Sequence, residues 1–263
     1  WLNVCLRALL SALLVCGLSS ARADVFTNVP ETAGWSLVYT VPLPNSNISS
    51  SVPYSVNNAA SILSGSFNRV GYYLELDNGS GLQWVYASFD AAPFQTNASM
   101  LGVPISSTGE FYHYDAAGLL PGQVRNMNVF SNVAGIVTGT GITTGNVEFW
   151  ASNYAQANQF GVPGADGGTF DFGDGGNPGT GSGHGSMQIH NYGAGQTLFA
   201  IDGFNQTLQI GIGNQPVNQP DWTFNGNAAS YSVKNLQVVV QPIPSTVWNG
   251  TADSDWGTAA NWT

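Results

Sequence analysis

Cysteine is almost missing from this chain, and so is positive charge. Its two cysteines, Cys5 and Cys16, both precede residue 24. If that segment is a leader, the remaining domain has neither disulfide nor thiol chemistry and must be held by its hydrophobic core. Beyond residue 23 the basic residues are Arg69, Arg125 and Lys234. Against fifteen acidic residues these leave a net charge of about −12, three minus fifteen. Such a surface has no basic patch with which to grip phosphates, which excludes nucleic acid as a partner and disfavours anionic membranes and anionic polysaccharides. Neutral sugars and divalent cations stay open. Charged residues make up only 8% of the chain while aromatics make up 12%, so the high-charge, low-hydrophobicity signature of disorder does not apply. Helical periodicity is also missing: outside the first two dozen residues no window of helical length keeps a 3.6-residue apolar repeat.

The first segment is itself informative. Arg7 precedes an apolar run from Ala8 to Leu18, and Ala21-Arg22-Ala23 has the small-x-small form of a signal-peptidase site. This reads as a signal peptide over residues 1–23, its core too short for a spanning helix of about 20 apolar residues. A secreted or cell-surface protein without membrane insertion after cleavage is expected. The chain opens on Trp1 and stops at Thr263 inside a Trp motif, which reads as an incomplete frame.

Residues 24–241 read as a succession of short strands. Trp35 to Val41 alternates, with Trp35, Leu37, Tyr39 and Val41 expected on one face and Pro42 and Pro44 ending the run. Phe67 to Leu76 places Val70, Tyr72, Leu74 and Leu76 opposite Arg69, Tyr73 and Glu75. Asp77-Asn-Gly-Ser-Gly81 is a turn leading into Leu82 to Asp90, which carries Trp84 and Tyr86, and the two runs form the best hairpin in the sequence. Glu110–Tyr114, Val124–Phe130, Leu208–Ile212 and Tyr231–Val240 are further strand candidates, whereas Gly102–Thr108 reads as a loop and a Gly/Thr-rich stretch runs to Gly145. Many short strands, turn signals and no crossover helix predict an all-β, two-sheet antiparallel β-sandwich, jelly-roll-like. Gln241-Pro-Ile-Pro244 reads as a linker, with residues 242–263 forming that linker and the start of a following segment.

Rare residue types gather between Gly145 and Gly203. In Asn146–Trp150, Val147 and Phe149 alternate with Glu148 and Trp150; in Ser186–Tyr192, Met187 and Ile189 alternate with Gln188, His190 and Tyr192. With the apolar set inward, Glu148, Trp150, Gln188, His190 and Tyr192 form an outward aromatic-polar set. Aromatic rings suit sugar C–H faces, and carboxylate, amide and imidazole groups suit sugar hydroxyls, so a neutral polysaccharide or glycan is the expected partner. This requires the two strands to be neighbours. The glycine-rich loop between them carries Asp166, Asp171, Asp174 and Asn177, oxygen ligands of the kind a structural Ca²⁺ takes, although no EF-hand register fits.

Catalytic patterns are scarce. There is no Gly-x-Ser-x-Gly elbow and no phosphate loop, and His113, His184 and His190 lack a metal-binding spacing. A glycoside hydrolase or polysaccharide lyase using Glu148, His190 and Asp171 or Asp174 stays open as an alternative, as does a purely structural stalk domain.

Two resemblances bear on context. Val247-Trp-Asn-Gly, Trp256 and Asn261-Trp262 resemble the segments that open repeats in large bacterial exoproteins with autotransporter-associated β-strand repeats, which implies further domains in the same chain. Asn146-x-Glu148-Phe-Trp150, Phe170-Asp-Phe-Gly-Asp174 and Gly185-Ser-Met-Gln-x-His190-Asn191, within residues 124–240, resemble uncharacterised modules of secreted bacterial proteins. Those modules accompany carbohydrate-active, esterase or sulfatase domains, so the resemblance implies secretion and a polysaccharide setting, with no activity attached.

Overall fold

The computed structural model describes residues 24–45, 54–92, 101, 103–107, 110–113, 124–150, 186–204, 207–213 and 228–244. The elements in chain order are α1 (Val25–Asn28), β1 (Ser36–Pro42), β2 (Val56–Asn57), α2 (Ala59–Ile62), β3 (Phe67–Asp77), β4 (Gln83–Asp90), β5 (Val103–Ser107) and β6 (Glu110–His113). They continue with β7 (Met127–Ser131), β8 (Gly139–Ile142), β9 (Gly145–Trp150), β10 (Ser186–Asn191), β11 (Gln196–Phe204), β12 (Thr207–Ile212) and β13 (Val233–Pro242).

The strands form an antiparallel β-sandwich. One sheet has the order β2-β1-β13-β3-β4-β7-β8, the second has β12-β11-β10-β9, and β5 pairs with β6. The two-sheet, jelly-roll-like sandwich expected from the strand pattern is present, with the first long strand, β1, lying beside the last, β13. A single core cluster runs through both sheets: Val70, Tyr72, Leu74 and Leu76 of β3 meet Ile189 of β10, Phe199 and Ile201 of β11 and Ile210 of β12. Each fully buried aliphatic or aromatic side chain contributes about 1.5–3 kcal/mol, so this seam is what holds the sheets face to face.

The outer face of the large sheet carries a second, smaller cluster. Val25, Val29 and Trp35 belong to an N-terminal strap over residues 24–35, and they cover Tyr73, Tyr86 and Val239. Strand alternation explains the split, because odd and even positions of β3 and β4 feed opposite faces. On β1 the simple alternation fails. A register shift between Leu37 and Tyr39 against β13 marks a bulge at Val38. Val38 and Val41 face the main core, while Trp35 and Leu37 join the outer cluster. The expectation that Trp35, Leu37, Tyr39 and Val41 share one face is therefore corrected: one extra residue in the strand moves everything beyond it to the other face.

Other boundaries shift for local reasons. The Gly102–Thr108 stretch, read as a loop, contains β5, and the Gly/Thr-rich stretch contains β8; neither carries the apolar alternation that reveals a strand. Gln241 and Pro242, assigned to a linker, end β13, and the Ile243 amide donates to the Ser66 carbonyl at 2.9 Å. Proline is accommodated there because the register shifts between Gln241 and Pro242, where no ladder donor is needed. No helix among the described residues is long and apolar enough to cross a membrane.

Candidate functional site

The strands of the predicted binding face are neighbours. β9 and β10 pair antiparallel with Glu148 opposite Gln188, Val147 opposite Ile189, Trp150 opposite Ser186 and Asn146 opposite His190. Val147, Met187 and Ile189 lie in the main core, as alternation requires. The other side of the strand is different from the expectation. Gln188 and His190 have no solvent exposure at all. The His190 ring nitrogen Nδ1 lies 3.2 Å from the Thr197 hydroxyl, and burial alone pulls the imidazole from its ordinary 6.5 down to about 3. Desolvation disfavours the charged ring, so His190 is neutral at physiological pH. Tyr192 does not continue the strand, because β10 ends at Asn191 and a 3₁₀ turn covers Tyr192–Ala194. Gly195 at φ 59° completes that turn in a conformation glycine adopts freely. An open row of Gln188, His190 and Tyr192 along one strand is thus not what forms. The side chains of Glu148, Trp150 and Tyr192 lie outside the described residues, as do Asp166, Asp171, Asp174 and Asn177 altogether. Among the described residues no group of three or more His, Cys, Asp or Glu side chains could hold a metal ion.

An aromatic-polar cluster forms on the outer face of the large sheet, with Tyr73, Glu75 and Asn235 buried and Trp84 and Phe130 partly exposed. There Glu75 of β3 is registered with Trp84 of β4 on one side and with Asn235 of β13 on the other. Trp84 is half-buried and stacks on Tyr73 with centroids 5.8 Å apart and planes 29° apart. Asn235 Nδ2 donates to Glu75 Oε1 at 2.7 Å, and both residues are almost fully buried. The Tyr73 hydroxyl accepts from Asn28 Nδ2 at 2.7 Å and lies against the Glu75 carboxylate. Burial pushes the Tyr73 phenol well above its ordinary 10, opposed by the Asn28 hydrogen bond and reinforced by the charges of Glu75 and Asp24. Phe130, half-buried, extends the aromatic row through Tyr86 at 6.2 Å, and Trp35 meets Tyr86 edge-on at 6.3 Å. Asn132 frames Trp84: its Oδ1 accepts from the Trp84 amide at 2.8 Å and its Nδ2 donates to the Leu82 carbonyl at 2.8 Å.

At the other end of the same face a charged cluster fastens the strap. Glu31 accepts from Arg69 Nε at 3.2 Å, from Ser88 Oγ at 2.9 Å and from Asn128 Nδ2 at 2.8 Å. Arg69 also donates to Asp90 at 3.3 Å and to Ser88 at 2.7 Å. Every contact in this group closes on another protein group, which makes it a fastening rather than an open anion or cation site. A cleft of about 500 Å³ lies where β13 leaves the sheet, lined by Phe67, Ile62, Val240, Ile243 and serines 36, 61 and 66, without a charged side chain.

Sequence reading separated Tyr73 and Glu75 from the core set and placed Trp84 across the turn. The outer row was not assembled from it because the Asn235 partnership spans 160 residues and is set by sheet order. Comparison with other proteins adds no assignment: no protein-family model, no curated protein and no solved structure matches the chain.

Proposed function

We propose that the chain is a non-catalytic module of an exported protein and that it recognises neutral glycan through the Trp84 surface. The observation that carries this reading is the partly exposed Trp84 ring, braced from one side by the buried Tyr73 ring and set beside the buried Glu75–Asn235 pair. A rigid indole offers a sugar C–H face a large contact at little conformational cost. The strongly acidic chain favours an uncharged ligand. Export is supported by the signal-like residues 1–23. Membership of a longer protein is supported by the Trp motif of the tail and by the meeting of β1 and β13, which suits a unit strung between others. A structural Ca²⁺ held by Asp166, Asp171, Asp174 and Asn177 is part of the proposal.

Affinity electrophoresis through gels containing neutral polysaccharides tests the reading. The wild type is expected to be retarded by at least one of them, Trp84→Ala is expected to run freely, and retardation is expected to persist in moderate salt. A Trp84→Ala protein retarded as strongly as the wild type, with Trp150→Ala or Tyr192→Ala abolishing the effect, moves the site to the β9–β10 sheet.

A further inference from the structure

A side-chain hydrogen bond adds to the apolar packing that joins the strap to the Trp84 surface. Asn28 is the last residue of α1, and its amide nitrogen donates to the Asp24 carbonyl at 3.1 Å. Its side chain reaches down to the Tyr73 hydroxyl at 2.7 Å. Tyr73 has no solvent exposure, and its ring is the face on which Trp84 stacks. We propose that Asn28 is a positioning residue for the Trp84 platform, so that the binding surface is complete only when the N-terminal strap is docked on the last strand.

The geometry leads there in steps. A tyrosine ring in a sheet can rotate about its Cα–Cβ and Cβ–Cγ bonds, and a tether on the hydroxyl, which lies on the Cβ–Cγ axis, stops the first of these motions. The Asn28 amide tethers the Tyr73 oxygen and so fixes where the ring points, while burial with Val25, Val29 and Trp35 holds its plane. Trp84 stacks on that ring with the planes 29° apart, so holding Tyr73 in place supports the platform. Asn28 is in turn held by the strap. Val25 and Val29 are fully buried, and the Val25 amide donates to Gln237 Oε1 at 3.0 Å. Gln237 sits on β13, 212 residues away in sequence. The chain of positioning runs from the last strand through the strap to Tyr73 and then to Trp84. The sandwich core is separate from it, since the apolar residues of the strap pack in the outer cluster.

This inference rests on the glycan reading for its binding arm and on a ligand-free spectrum for its structural arm. Protein labelled with 5-fluorotryptophan gives one fluorine resonance per Trp, and Trp84→Phe identifies that of Trp84. Asn28→Ala and Tyr73→Phe are each expected to move the Trp84 resonance and to weaken binding to the retarding polysaccharide about fivefold, the worth of one net hydrogen bond. The double variant is expected to be no weaker than either single one, because both remove the same bond. Asn28 is only half-buried, and thermal melting checks that the variant is folded, with Asn28→Ser as the milder change. If Trp84→Ala loses binding while Asn28→Ala binds like the wild type with an unmoved Trp84 resonance, the positioning role is overturned and the glycan reading stands. If Trp84→Ala keeps full binding, the Trp84 site fails, and the resonance alone decides the positioning role. Additive losses in the double variant also overturn it.

Discussion

Acid should weaken this sandwich through one residue, His190. The imidazole is fully buried in the four-stranded sheet, between β9 and β11, where its register partners are the uncharged Asn146 and Thr197. Burial lowers its pKa from 6.5 to about 3. A depressed pKa means that the unfolded chain binds a proton that the folded chain refuses. The stabilising difference is therefore fully present above pH 6.5, and it is lost progressively as the pH falls from 6.5 towards 3. Each unit of separation is worth about 1.4 kcal/mol, so the loss between pH 7.5 and pH 5 comes to about 2 kcal/mol. Urea unfolding of the wild type and of His190→Gln, measured at several pH values over that range, isolates the effect. Carboxylates and the other two histidines titrate in both proteins and cancel in the comparison. His190→Gln will start from a lower stability, since the Thr197 contact and the packing change, but its pH slope is expected to be shallower by that amount. Identical slopes in the two proteins would refute the reasoning and imply that the ring is protonated in the folded state.

Two further outcomes are expected, one from the packing and one from the proposed calcium. A Cβ at Gly71 would lie 2.6 Å from Cε2 of Tyr86, because that ring lies across the glycine on the neighbouring strand. Gly71→Ala must displace a fully buried tyrosine beneath the strap and is expected to cost about 1–3 kcal/mol in urea unfolding; an unchanged midpoint contradicts this packing. If Asp166, Asp171, Asp174 and Asn177 hold calcium, EDTA lowers the melting temperature and added Ca²⁺ restores it, whereas a curve indifferent to EDTA removes the ion from the account.

The parts of the molecule that were readable from sequence are those governed by neighbours in the chain. Val70, Tyr72, Leu74 and Leu76 alternate without interruption, so β3 was legible with its faces assigned, and the following turn and β4 as elements. The turn works as its composition suggests, with Asp77 Oδ1 accepting from the Gly79 amide at 2.7 Å. Where a bulge intervenes, as at Val38, alternation points to the wrong side, because the extra residue leaves no mark in the residue pattern. The adjacency of β9 and β10 was needed for the first site and is present, yet strand alternation says only which side a residue takes. It cannot tell whether that side is open, and at Gln188 and His190 it is covered. The Trp84 surface shows the converse: Tyr73, Glu75 and Trp84 were in view along two strands, but Asn28 and Asn235 join them only through the strap and the last strand.

The central claim is that Trp84 meets the ligand. Fluorotryptophan-labelled protein, titrated with a neutral polysaccharide that retards it, tests this in one experiment. The account predicts that the Trp84 resonance shifts in proportion to saturation while the resonance of the nearly buried Trp35 stays in place. A Trp84 resonance that holds still at saturation, with that of Trp150 moving instead, would contradict it.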